Sequence, residues 1–163
     1  MTPDEQKSSP GRILLVSEDK HTLDSLAQML GDEFPVETAS GCTEGMANMH
    51  LFGPFAIVAA DMRMTGLDGT DFLARVRALA PQAVGILLAG RRDLHRATAA
   101  HEAGLIFRIL PKPCERDPLL DAIRLGMDRY RANCEARERE QAAWAHRLPP
   151  ASASSPPIAL DPK

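Results

Sequence analysis

From Arg12 onward the chain alternates short apolar runs with stretches whose apolar positions recur at helical spacing. That pattern predicts βα units, folded into a parallel sheet with helices on both faces. The runs are Ile13 to Val16, Val36 to Ala39, Phe55 to Ala60, Val84 to Leu88 and Ile106 to Leu110. Most are continuously apolar, as a strand buried on both faces must be, whereas Val36-Glu37-Thr38 reads as an edge strand. Helical spacing links Leu23, Leu26, Met29 and Leu30, then Met46, Met49 and His50, then Phe72, Leu73, Val76 and Leu79. Gly31, Pro81 and Gly104 stand where such stretches stop. Right-handed crossovers through five units make a doubly wound α/β sheet, whose ligands lie outside the carboxyl ends of the strands.

The last helix starts between Cys114 and Asp117 and meets no breaker before Leu148. Leu119, Leu120, Ile123 and Met127 would cover the core. From Arg131 to Arg147 charged residues dominate, which suits a solvated projection or a weak partner-binding helix. Met127, Tyr130 and Cys134 have heptad-like spacing that Arg137 and Gln141 interrupt, so a homodimer through this helix stays open. The expected organisation is a disordered start at 1–10, one domain at 11–131, an extended helix at 132–147 and a disordered Pro/Ala/Ser tail at 148–163.

Composition narrows the function classes. With 163 residues there is room for one core, and a formal net charge of −3 offers no broad positive field for direct nucleic-acid binding. No apolar run approaches membrane-spanning length and the start is polar, which points away from membranes and to a cytoplasmic location. Cys42, Cys114 and Cys134 are scattered and read as free thiols.

The chemistry gathers at the strand ends. Ser17-Glu18-Asp19 follows the first strand, Asp61 the third, Ala89-Gly90 the fourth and Pro111-Lys112-Pro113 the fifth. Three carboxylates converging with a lysine repel one another unless a hard cation or a fixed ammonium neutralises them, and oxygen ligands suit magnesium. Strand-end loops are commonly acidic for no functional reason, but acids at separate strand ends of one sheet edge favour a phosphoryl-transfer site. Arg91 and Arg92, after Gly90, read as solvated loop residues, with an anion held above the crevice as the other reading.

Ile13 to Val16 followed by acids, then the run Ile57 to Gly69 containing Asp61-Met62-Arg63-Met64-Thr65, then Lys112-Pro113, resembles the receiver domain of bacterial response regulators over roughly Gly11 to Arg131. Phe107 to Cys114 is similar to receivers that precede phosphodiesterase-type output domains. No such domain is expected here, which suggests a stand-alone form or one that has lost its effector. The resemblance implies a flavodoxin-like strand order 2-1-3-4-5 and a phosphorelay signalling module, not an enzyme beyond self-phosphorylation and self-dephosphorylation. It makes Asp61 the phosphoacceptor, served by a sensor histidine kinase, a phosphotransfer protein or a small phosphodonor. Glu18, Asp61 and the Arg63 carbonyl would hold Mg2+, with Asp19 in reserve, and Lys112 would contact the phosphoryl group ahead of a cis Pro113. The output would be an unknown downstream protein, bound on the fourth helix, fifth strand and fifth helix.

Several positions depart from the family. Ser17 replaces the first acid and Glu18 lengthens the second, so magnesium should be held more weakly. Ala89 stands where a hydroxyl residue is usual, and Ile109 where an aromatic switch is usual. Phe107, of the same parity, would be the replacement, and Thr65 occupies a common proline position. Two readings follow: a working regulator, or a pseudo-receiver whose partner recognises the fold without phosphorylation. A flavodoxin would need an anion-cradling loop where Ser17-Glu18-Asp19 stands, so no organic cofactor is expected. A two-aspartate phosphohydrolase would need an acid at Arg63, and a DNA-binding regulator a basic recognition element.

Overall fold

Five parallel strands pair in the order β2-β1-β3-β4-β5 in the computed structural model, which describes residues 11–147. The expected disordered start at 1–10 and tail at 148–163 lie outside the described residues. The strands are β1 (Ile13–Val16), β2 (Val36–Ala39), β3 (Ile57–Asp61), β4 (Val84–Ala89) and β5 (Arg108–Pro111). β1, β3 and β4 are buried almost throughout, because helices cover both faces, while β2 at the edge keeps Glu37 half-buried and Thr38 exposed. Val16 registers with Ala39 on one side and Ala60 on the other, and Ala89 with Pro111. The carboxyl ends therefore form one row, with Ser17, Asp61, Gly90 and Lys112 at or just beyond it.

Three strands differ from the expected bounds, β4 only by running one residue past Leu88 to Ala89. β3 begins at Ile57 rather than Phe55 and runs on into Asp61, because the ladder with β4 continues to the Asp61–Leu88 pair. β5 begins at Arg108 rather than Ile106 and ends on Pro111, which an edge strand tolerates since it need not donate a ladder hydrogen bond there.

The helices are α1 (Lys20–Leu30), α2 (Cys42–Phe52), α3 (Gly69–Leu79), α4 (Leu94–Glu102) and α5 (Arg116–Arg147), with a single 3-10 turn at Arg91–Asp93 before α4. Alternation along β1 sends Ile13 and Leu15 to the side covered by α1 and α5, where Leu23, Leu26, Leu30, Leu119, Ile123 and Met127 meet them. Leu14 and Val16 go to the opposite side, against Met49, Phe72, Leu73 and Val76. Each fully buried side chain of this size contributes about 1.5–3 kcal/mol relative to exposure. His50, grouped with the apolar positions of α2 by its spacing, is exposed.

α5 is one continuous helix of 32 residues. Its buried positions end at Met127. Beyond that it touches the α3–β4 loop, where the Asn133 side-chain amide donates to the Gln82 carbonyl at 3.1 Å and Arg137 to Gln82 Oε1 at 3.1 Å. From Arg137 onward every described residue is exposed. Among the described residues no helix is long and apolar enough to cross a membrane.

Candidate functional site

Asp61 ends β3, a strand buried throughout, and is itself only 3% exposed. A carboxylate in that position needs partners on both oxygens, and it has them. The fully buried Ser17 hydroxyl donates to Oδ2 at 3.1 Å, the Arg63 amide donates to Oδ1 at 3.3 Å, and the Lys112 ammonium pairs with Oδ1. Ser17 and Lys112 come from β1 and β5, at opposite sides of β3, so the sheet order itself delivers them to Asp61. The peptide bond from Lys112 to Pro113 is cis, as is the unforeseen one from Gly53 to Pro54.

Only Asp61 of the three expected carboxylates sits against the lysine. Glu18 points across the mouth of the crevice to the β3–α3 loop, where Thr65 binds it twice: its amide donates to Oε1 and its hydroxyl to Oε2 at 2.9 Å. The reserve position of Asp19 is corrected too. Asp19 is the N-cap of α1, accepting from the His21 amide at 3.1 Å and the Thr22 hydroxyl at 2.7 Å, and the Thr22 bond holds its pKa below the ordinary value. Its carboxylate is taken by one orphan N–H of the helix and by the Thr22 hydroxyl.

Ala89 is fully buried at the end of β4 and offers no hydroxyl. Ile109 is half-buried against the α3 and α4 side of the sheet. Phe107 is no stand-in for it. It precedes the first ladder residue of β5, so strand parity does not apply, and it packs on the opposite side under the guanidinium of Arg129, 5.5 Å from the ring centre.

Two ion pairs flank the crevice: Arg63 Nε to Asp93 Oδ2 at 2.9 Å, and Arg96 to Asp68. Asp68 also caps α3 through the Asp71 amide at 2.9 Å. Asp93 and Asp68 drew no attention in the sequence because their partners lie 30 and 28 residues away. Thr65 did stand out, and its role follows from chemistry: a proline there has neither the N–H nor the hydroxyl that holds Glu18. The three cysteines are free thiols, and burial raises Cys42 above its usual value and Cys114 to about 11. That keeps both protonated and poorly nucleophilic.

A family model for the response regulator receiver domain matches residues 13–124. The chain belongs to that family. Its receiver is 34% identical over 117 residues to the hydrogenase transcriptional regulatory protein HoxA of Cupriavidus necator, covering 71% of this chain and 24% of that protein. It is 30% identical to the transcriptional regulatory protein GlrR of Escherichia coli, covering 80% of this chain and 29% of that one. The chain thus spans about a quarter of the length of these curated relatives. Among solved structures it is similar to an adenylate cyclase from Rhodopirellula baltica, at 34% identity and TM-score 0.77 over 80% of this chain and 97% of that one. A response regulator receiver domain protein from Clostridium thermocellum matches at 30% identity and TM-score 0.70, over 75% and 98%.

Receiver domains are signalling modules of two-component systems that exchange phosphoryl groups with histidine kinases or phosphotransfer proteins, and they bind Mg2+. In this receiver the expected donors carry less charge than an acid pair would, and they are hydrogen-bonded within the protein. Asp61 has both oxygens occupied, Ser17 brings no charge, Glu18 is held by Thr65, and among the described residues no three His, Cys, Asp or Glu side chains are placed to share a metal.

Proposed function

We propose that this receiver accepts a phosphoryl group on Asp61 from a histidine kinase and signals through protein contacts. The observation that carries the reading is the meeting of a buried carboxylate with an ammonium from a separate strand end, Lys112 against Asp61. An Asp61 oxygen attacks the phosphorus of the donor. The bond from phosphorus to the donor's nitrogen or acyl oxygen breaks, and its electron pair leaves with the donor. Lys112 then follows the phosphoryl oxygens, while the Ser17 hydroxyl and the Arg63 amide fix the angle of attack by holding the carboxylate. Magnesium, whose protein donors would be Glu18, Asp61 and the Arg63 carbonyl, is held weakly, because Thr65 competes for the oxygens of Glu18. The reading carries with it a cytoplasmic setting and a downstream protein as target.

Ala89 supports the second reading, a pseudo-receiver recognised without phosphorylation, since no hydroxyl at the end of β4 can follow the phosphoryl group. Amide NMR of the protein before and after acetyl phosphate treatment separates the two. The first reading predicts shifts that extend from Asp61 through Ala89 to Ile109 and α4. A spectrum unchanged at Ile109 and α4 despite a phosphoryl adduct favours the second.

A further inference from the structure

The crevice continues outward into a cavity of about 300 Å³ lined by Arg63, Gly90, Arg91, Arg92, Asp93 and Lys112. Four cations thus face one carboxylate, and that carboxylate is already taken by Arg63 at 2.9 Å. Among the described residues neither the Arg91 nor the Arg92 guanidinium forms an ion pair, since the neighbouring Asp93 turns to Arg63. Loop arginines are ordinarily just solvated. Here they converge on a concave site whose wall includes Lys112, the same ammonium that pairs with Asp61. The cavity and the acceptor therefore share a residue.

We infer that this pocket binds the tetrahedral phosphoryl oxyanion of the donor beside Asp61 without a divalent cation, using Arg91, Arg92 and Lys112. The inference rests on Asp61 as the acceptor. A guanidinium presents a planar fork of N–H donors that matches two phosphate oxygens at once, and bonds of this charge-assisted kind are stronger than neutral ones. The charge arithmetic of the crevice agrees. An acid pair beside Asp61 would leave an excess of negative charge for a metal to offset, but Ser17 removes one charge and Thr65 diverts the other. Lys112 is shared between Asp61 and the cavity, so one ammonium does not balance the incoming dianion, and the arginines of the β4–α4 loop supply the remaining positive charge. The rim also replaces what Ala89 lacks: donors at the end of β4, from the two residues after Gly90 instead of from the strand itself.

Inorganic phosphate is titrated into the full-length 15N-labelled protein in EDTA, and then in excess magnesium, while amide shifts are followed. The expected result is saturable shifts at Gly90 to Asp93 and at Lys112 in EDTA, with magnesium changing the affinity little. In Arg91→Ala/Arg92→Ala binding weakens by about tenfold or more, while Arg91→Lys/Arg92→Lys keeps part of it. Both positions are exposed, and an unchanged melting temperature checks that the variants are folded. Binding that requires magnesium, or that survives unaltered in the alanine double variant, overturns the inference. Acetyl phosphate distinguishes its failure from that of the acceptor reading. An Asp61 adduct in magnesium with no phosphate binding in EDTA overturns the pocket and leaves the acceptor. Arginine-dependent phosphate binding in EDTA with no adduct under any condition upholds the pocket and overturns the acceptor.

Discussion

The hydroxyl of Ser17 donates to Oδ2 of Asp61 at 3.1 Å, and both residues are buried. A position where the family resemblance implies an acid here supplies a neutral hydrogen-bond donor, so Asp61 is held by a hydroxyl and an ammonium in place of being repelled by a second carboxylate. Ser17→Asp reverses that arrangement. In EDTA the variant loses about 1–3 kcal/mol, the cost of a buried charge without a partner. Magnesium restores the stability and binds about tenfold more tightly than to the natural chain. Thermal melting with and without the metal, paired with calorimetric titration, checks both numbers.

The two hydrogen bonds from Thr65 compete with a metal for the oxygens of Glu18. Thr65→Val keeps the shape and removes the hydroxyl that donates to Oε2 at 2.9 Å. Losing one hydrogen bond to a charged group should raise magnesium affinity by about three- to tenfold, with little change in folding stability. An affinity that falls or stays constant would show that Thr65 does not compete for Glu18.

Gly69 opens α3 against the back of the acceptor. A Cβ at this position would lie 2.6 Å from the Asp61 carbonyl oxygen and 2.5 Å from Leu87 Cδ1. Gly69→Ala should therefore cost about 1–3 kcal/mol in overpacking, and displace Asp61 as it relaxes. Denaturant melts measure the first effect, and the rate of phosphoryl uptake the second.

Asp68 gives the fold a pH dependence of known sign. Burial alone would raise its pKa, but the Thr70 hydroxyl, the Asp71 amide and Arg96 outweigh burial and hold it below the ordinary 3.8. A carboxyl whose folded pKa is depressed adds stability that is complete well above 3.8 and is lost as pH falls through 3.8 toward the lower folded value. Asp68→Asn keeps an α3 cap but has nothing to titrate. Its stability should fall less steeply than the natural chain's below about pH 4, which urea melts at a series of pH values would show.

The positions of Asp61, Lys112 and Ser17 at one sheet edge were legible in the sequence. Apolar runs mark buried parallel strands, and the residue after each run must then lie at the carboxyl end. The cap on α1 was legible too: Asp19 followed by Thr22 is a helix start, and treating Asp19 as a spare ligand overlooked a stronger local use of its carboxylate. Phe107 was misplaced because the start of β5 falls two residues later than the apolar run implies, and alternation carries no information outside the ladder. The direction of Glu18 was not legible. It depends on Thr65, 47 residues away, and on which loop offers the better donors.

The account stands on Asp61 as the acceptor, and intact mass tests it most directly. The protein and its Asp61→Asn variant are incubated side by side with acetyl phosphate, in EDTA and in magnesium, and followed over time. The predicted result is the mass of one added phosphoryl group on the natural chain alone. No adduct in either buffer, or equal adducts on both proteins, would contradict it.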